Sequence, residues 1–357
     1  MHIPDGYLSP STCAVLYAGA APFWYIAMRR LKRLVTARLV PLLSVFAAFA
    51  FVVMMFNLPL PGGTTGHAVG VGIASIVLGP WASILAISIA LFIQAVFFGD
   101  GGITALGANC LNMAVAGSLV SYVTYRVLCG KSPIDSPRRV VAAGFAGYLG
   151  VNAAALLAAI EFGVQPMLFR DASGAPLYAP YPLSIAIPAM MIGHLTIAGL
   201  AEAIVSAGLV AWLQRSHPSL LRATAPEAAE TTLEGGAAGW RGLRPLLAGL
   251  AALMLLTPLG ILAAGSAWGE WSPGDFANPA ARRQIAAASS SQNPPSQAPH
   301  GLERLSTLWT APIPSYAPPF LRSQSFGYLL SATFGAGLIL LSALAADHFL
   351  ASRRWSG

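Results

Sequence analysis

The chain opens "MHIPDGYLSP", with histidine directly behind the first methionine, and that pair is a chelator in its own right. The Met1 amine nitrogen, the His2 backbone nitrogen and His2 Nδ1 close a five-membered and a six-membered ring around one metal ion, all in a plane, once the amide has given up its proton. Copper(II) and nickel(II) favour planar nitrogen sets, cobalt(II) is less demanding, and zinc prefers a tetrahedron. Three nitrogens leave one corner open. His67 is the candidate for that corner, because "NLPLPGGTTGHAVG" is a Gly/Pro-rich turn that delivers an imidazole at the mouth of a helix. A lone loop histidine is more often simply solvated, so His67 draws its weight from the amino-terminal pair. Residues 1–10 have neither the basic start nor the apolar stretch of a secretory leader, so the amino terminus is expected to survive, with Met1 kept ahead of the bulky His2 and its amine free.

Other polar residues fall where they can support or couple to such a site. Asp5 and Asp100 are carboxylates on the same outer side, suited to attracting a dication or to ordering the amino-terminal loop, with turn capping as the plainer role. His194 and Glu202 lie eight apart in "GHLTIAGLAE", close to two helical turns, which predicts one shared face. An ionisable group inside a membrane is a functional candidate because its burial is costly unless it is paired. Hydrogen bonds from these two to Gln94, Asn109, Asn112 or Asn152 are an equally good account, and Asp5, Gln94, Asp100, Asn109, His194 and Glu202 are therefore expected as supporting or coupling residues. Cys13, Cys110 and Cys129 lack CxxC spacing and read as buried thiols. The run "GDGGITALGANCLNMAVAG" follows no strand and has no lysine, so close helix packing by small residues explains it better than a phosphate loop. No GxxxxGK[ST], HExxH or nucleophile elbow occurs, and the only lysines are Lys32 and Lys131. The expectation is a protein that is not an enzyme, has no ATPase motif and needs no cofactor.

These residues must be positioned by membrane helices. Of the 357 residues, 56% are hydrophobic and only 9% charged, far from the roughly one quarter charged of a soluble domain. An all-α integral membrane protein is predicted, in the cell (inner) membrane. Against a bilayer that needs about 20 helical residues, nine apolar runs stand out: Pro10–Met28, Leu39–Leu58, Ala68–Leu78, Trp81–Phe98, Thr104–Leu128, Val140–Glu161, Leu183–Leu213, Leu243–Gly265 and Phe326–Ala346. The third is short, but Gly79-Pro80 separates it from the fourth.

Charge favours the split. With nine crossings and the amino terminus outside, the inner segments hold Arg29, Arg30, Lys32, Arg33 and Arg38, then Arg126, Lys131, Arg138 and Arg139, then Arg215, Arg222, Arg241 and Arg244, then Arg353 and Arg354, fifteen of the 20 basic residues. The carboxyl terminus is then cytoplasmic. The net charge of +7 is thus a topology signal, and with no basic cluster among aromatics on a polar domain, nucleic-acid binding is excluded as a function. Two modules are predicted: a bundle of about seven helices over residues 1–215, then a cytoplasmic linker over 216–242, rich in Ala, Thr and Glu from Gln214 to Gly239, and a two-span hairpin over 243–357. The hairpin encloses an outer loop, 266–325, whose "AAASSSQNPPSQAPH" is expected to be partly disordered.

Taken together, "MHIPDGYLSP", the turn ending at His67, "GDGGITALGAN" and "GHLTIAGLAEAIVS" resemble the substrate-binding M component of the nickel/cobalt energy-coupling-factor transporters, the CbiM/NikM family, over nearly all of residues 1–215. Downstream, "LTPLGILAAGSAWGEWSP" and "GLERLSTLWTAPIPSYAPP" look like the small two-span N component of those systems, although "PHGLERL" stands where a proline-acidic-glycine run is usual. The resemblance implies a substrate-capture subunit of an ATP-driven importer. Its partners would be a transmembrane coupling subunit of the T or Q type, cytoplasmic ATPases of the A or O type, and membrane lipid. The ion would be held by Met1, His2 and His67. The planar nitrogen set and the covalent M–N fusion both favour Ni2+ over Co2+ as the transported ion. A different class of reading remains: a self-contained metal channel or proton-coupled carrier using Glu202 and His194 as a relay.

Overall fold

The computed structural model describes residues 1–34, 39–224, 240–263, 265–318 and 320–354. The chain begins with a coiled stretch and then forms α1 (Pro10–Leu34) and α2 (Leu39–Met54). A small antiparallel hairpin follows, β1 (Leu58–Leu60) against β2 (Thr64–Gly66), with Pro59 opposite Thr65. Next come α3 (Val71–Leu78), α4 (Pro80–Ile93), the short α5 (Leu106–Asn109), α6 (Gly117–Cys129), α7 (Pro137–Leu168), α8 (Leu183–Gly193) and α9 (Gly199–Ser216). The C-terminal segment adds α10 (Arg244–Leu256), the short helices α11 (Pro279–Ala288) and α12 (His300–Leu305), and α13 (Gln324–Arg354). Among the described residues, seven continuous helices are long and apolar enough to cross a membrane, and α2 is a shorter apolar one. The protein is an all-α, multi-pass membrane protein, as its composition predicts.

Three of the continuous helices owe their length to π turns, at Gln94–Phe98 after α4, at Cys110–Ala116 between α5 and α6, and at His194–Ala198 between α8 and α9. A π turn inserts one residue into the helical repeat and re-aims the side chains beyond it. Gln94, Asn112 and His194 all lie in these turns and all are buried.

The third apolar run is the most informative. Its helix begins at Val71 rather than Ala68 and has only 8 residues, about 12 Å at 1.5 Å per residue, so it does not cross the hydrocarbon by itself. Irregular chain from Ala68 to Gly70, the last of them left-handed (φ 76°, ψ 15°), leads into it. Non-helical backbone at that depth is tolerated only where protein satisfies its donors, and the Glu202 carboxylate does so here. At the other end Gly79 (φ 75°, ψ 166°) breaks the path before Pro80, so α3 and α4 are separate helices. Backbones approach closely around α3: a Cβ on Gly72 would stand 2.7 Å from the Gly147 Cα of α7 and against Ser206 Oγ of α9. Small residues permit such contacts in a medium where hydrophobicity does not drive helices together.

α10 and α13 pack on α2, where Gly335 lies against the Phe51 ring and Gly260 against the Met55 carbonyl. The outer loop departs from expectation. It is packed, not disordered: Ser272 and Asp275 form a capping box, Asn278 caps α11, and Trp268 Nε1 donates to Ser289 Oγ at 3.0 Å. Proline carbonyls that have no neighbouring N–H to pair with are bridged by Arg282, which donates to the Pro294 and Pro295 carbonyls. Of the linker, residues 225–239 lie outside the described residues, as does Arg38. Its described start turns back on the bundle, burying Leu220 and Leu221. There the fully buried Arg139 donates to the Thr224 carbonyl at 3.2 Å.

Candidate metal site

The opening segment is folded into the bundle. Met1, His2 and Ile3 are buried, with His2 only 1% exposed. Asn109 clamps Ile3 from both sides: its Oδ1 accepts the Ile3 N–H at 2.8 Å and its Nδ2 donates to the Ile3 carbonyl at 3.1 Å. Asp5 accepts from the backbone N–H groups of Ile103 (3.1 Å) and Thr104 (2.7 Å) and from the Thr104 hydroxyl. Gly102 N–H donates to the Ile3 carbonyl at 2.8 Å, and a Cβ there would collide with Asp5. The glycine-rich run at 99–109 is therefore a cradle for the amino terminus, a more specific use than the helix packing its small residues suggested. Asp5 ties the amino-terminal loop to Ile103 and Thr104, and Asn109 holds the loop and does not pair with His194 or Glu202.

Replacing Asn109 by alanine leaves the buried Ile3 N–H without a partner, worth about 1–3 kcal/mol, and leaves the Ile3 carbonyl with the Gly102 N–H alone. The expected result is faster amide hydrogen exchange confined to residues 3–6, with the helices unchanged, read by mass spectrometry on the intact chain.

The amino end and the turn meet. His67 Nε2 lies 3.2 Å from His2 Nδ1, with ring centroids 5.0 Å apart. His67 Nδ1 sits 3.0 Å from the Ala68 carbonyl and must carry the proton to bond it, which leaves the Nε2 lone pair directed at His2. Burial pulls the His2 imidazolium down to about 3, with the adjacent amino-terminal charge as second cause, and burial drives His67 well below its ordinary value. Both rings are thus neutral at physiological pH, the form that ligates metals. Asp100 Oδ1 stands 3.1 Å from His2 Nδ1. Among the described residues no three His, Cys, Asp or Glu side chains gather into a metal cage.

The C-terminal segment supplies two groups that sequence reasoning missed. Glu270 lies 3.6 Å from the Met1 amine, and burial raises its pKa to about 7, with the amino-terminal charge opposing the rise. Tyr316 donates to Asp100 Oδ2, and its burial and the Asp100 charge hold the phenol well above its ordinary pKa, hence protonated. A cavity of about 510 Å3 is lined by His67, Asp100, Glu270 and Tyr316 among others. The carboxylate in "WGEWSP", alone between two tryptophans next to an apolar span, was the available signal for Glu270.

Among the described residues His194 and Glu202 each bond backbone and not each other. The π turn at His194–Ala198 lies between them. His194 Nδ1 pairs with the Met190 carbonyl one turn back, at 2.8 Å, while its Nε2 has no partner. Glu202 instead accepts three backbone N–H groups, from Val69 (2.7 Å), Gly70 (2.8 Å) and Gly72 (3.0 Å). It holds the chain just after His67. Cys13, Cys110 and Cys129 are buried free thiols, as expected.

A family profile described as the cobalt uptake substrate-specific transmembrane region, CbiM, matches residues 2–220, well over half of the chain. The chain belongs to the CbiM family. Its CbiM region contains His2, His67, Asp100, Asn109 and Glu202, whereas Glu270 and Tyr316 lie beyond it. Over the whole length, the chain is 59% identical across 340 residues to the fused nickel transport protein NikMN of Rhodobacter capsulatus, covering 95% of each chain. It is also 35% identical over 224 residues to the cobalt transport protein CbiM of Geobacter sulfurreducens, covering 62% of this chain and 61% of that one. A crystal structure of a truncated transition metal transporter aligns with a TM-score of 0.57 at 48% identity, over 61% of this chain and all of the other.

Proposed function

We propose that this protein is the substrate-capture subunit of an ATP-driven importer of a divalent transition metal, with Ni2+ preferred over Co2+. Met1 amine, His2 backbone nitrogen, His2 Nδ1 and His67 Nε2 form its ligand set. The observation that carries this reading is the His2 Nδ1 to His67 Nε2 approach of 3.2 Å beside a buried amino terminus. Two neutral imidazoles with one lone pair aimed at the other ring, next to an amine, are the donors a planar d8 ion takes in exchange for water, and planarity favours nickel. Membership of a cobalt-uptake family and likeness to a fused nickel transport protein support the cargo class.

In this reading residues 1–215 are the capture bundle, 216–242 the cytoplasmic linker and 243–357 an N-like hairpin whose outer loop covers the site. The amino terminus faces the extracytoplasmic side and the carboxyl terminus the cytoplasm. Partners are a transmembrane coupling subunit and cytoplasmic ATPases. The ion enters from the acidic outer cavity, where Asp100 and Glu270 favour a cation. Rotation of the subunit driven by the ATPases would expose the site inward.

Two measurements test this. Nickel titrated into the intact, untagged-amino-terminus chain is expected to become diamagnetic with the yellow band of a planar nitrogen complex; a paramagnetic, pale octahedral ion would overturn the ligand set. In proteoliposomes, the chain alone under a proton gradient is expected to give no sustained nickel uptake, and uptake is expected once coupling and ATPase subunits and ATP are supplied. Sustained gradient-driven uptake by the chain alone would overturn the subunit reading.

A further inference from the structure

Tyr316 reaches the site from outside the CbiM region, on a backbone that resists being there. Ser315 (φ 52°, ψ 31°) and Tyr316 (φ 61°) are consecutive non-glycine residues in the left-handed region. Such conformations cost about 1–3 kcal/mol each and persist where the surroundings impose them. The surroundings do so here. Ser331 Oγ donates to the Tyr316 carbonyl at 2.8 Å, and the ring stacks on Phe98 with centroids 4.8 Å apart. Phe51 and Tyr328 complete an apolar nest that a phenylalanine would fill equally well. The hydroxyl is therefore the part of Tyr316 that packing does not explain.

That hydroxyl sets the direction of a hydrogen-bond chain. Tyr316 donates its hydroxyl proton to Asp100 Oδ2 and is left as an acceptor. Gln94 then has to present its amide nitrogen, which lies 2.8 Å from the Tyr316 oxygen and 3.3 Å from Asp100 Oδ2. With Nε2 so committed, Gln94 Oε1 is fixed as a free acceptor. It is buried without a partner, and so is His2 Nε2. Asp100 joins the two side chains: its Oδ2 meets Gln94 Nε2 at 3.3 Å and its Oδ1 lies 3.1 Å from His2 Nδ1, which sets the Gln94 amide beside the His2 ring. A histidine that ligates through Nδ1 must keep its proton on Nε2, and an acceptor for that proton fixes tautomer and ring angle.

We propose that Tyr316 is a positioning residue for metal capture: by fixing Asp100 and the amide of Gln94, it makes Gln94 Oε1 the acceptor for His2 Nε2–H and so holds His2 as an Nδ1 ligand. The proposal rests on the ligand set given above. It gives the C-terminal segment a defined chemical task in the site, beyond covering it.

Tyr316→Phe in the full chain keeps the stack and removes only the hydroxyl. Loss of a group that orients a metal ligand costs 10- to 100-fold in affinity, so the nickel dissociation constant is expected to rise roughly 10- to 100-fold. The planar nickel band is expected to shift, a change that a role in packing alone would not produce. Gln94→Ala should give a loss of similar size, and the double variant should be no worse than about twofold beyond the larger single one, because both act through one bond. A Tyr316→Phe protein whose nickel affinity and band stay within about twofold of the unaltered chain overturns the proposal and leaves the ligand set standing. Multiplicative losses in the double variant also overturn it. If the unaltered chain shows no planar nickel, the ligand set and this proposal fail together.

Discussion

Acetylating the Met1 amine lowers nickel affinity by about 10³-fold or more, equivalent to about 4 kcal/mol. The amine anchors the first chelate ring, and without it the His2 amide has no bound ion close enough to displace its proton. Two of four nitrogens are lost, and two imidazoles remain, a set that many buried histidine pairs offer without holding a metal tightly. The fold adds to the loss. Met1 is 2% exposed, so an acetyl group has no free space, and removal of the ammonium leaves the Glu270 carboxylate without its charged partner at 3.6 Å. The measurement is competition against a chromophoric chelator, with acetylated and free chains from the same preparation. Adding one residue before Met1 is a weaker test, since a new amine, two amides and the His2 ring close a planar set of their own. Unchanged affinity after acetylation removes the amino terminus from the ligand set. It would leave His2 and His67 as an ordinary buried pair.

How much of this was written in the sequence differs by element. The helices were legible because a bilayer imposes length and apolarity on each span, and Gly79-Pro80 marked the break between the third and fourth. The meeting of His2 and His67 was legible because chelate geometry left one corner to fill. What was not legible depends on long-range contact. Nothing local in "WGEWSP" or "IPSYAPP" says that Glu270 and Tyr316 return to a site more than 200 residues earlier, and no periodicity reports a left-handed tyrosine. The prolines of the outer loop suggested disorder because their missing donors were visible, whereas the Arg282 guanidinium that caps their carbonyls was not assignable without the fold. The π turns were invisible for a related reason: one inserted residue leaves composition unchanged and alters only the helical register between His194 and Glu202.

Glu202 is the residue whose role the fold revises most, and its removal carries the second large effect. Glu202→Ala strips the partners from the backbone N–H groups of Val69, Gly70 and Gly72 in a fully buried place. At about 1–3 kcal/mol for each unsatisfied group, the loss is several kcal/mol, enough to free the irregular chain that carries His67. Nickel affinity is then expected to fall about 100-fold or more, with a lower unfolding midpoint in detergent. Glu202→Gln separates this role from proton transfer. Its carbonyl oxygen can still accept from Val69 and Gly70, which share Oε2, while its amide nitrogen faces the Gly72 N–H as donor against donor. Two bonds of three survive, so a loss of roughly tenfold is expected, well short of the alanine variant. A group acting by gaining and losing a proton gives the opposite pattern, because glutamine cannot ionise and should be as inactive as alanine. Equal and complete loss in both variants would return Glu202 to the relay, whereas a graded series in nickel binding and in protection of the residue 67–72 amides identifies a carboxylate used as an acceptor for backbone that has no helix to bond to.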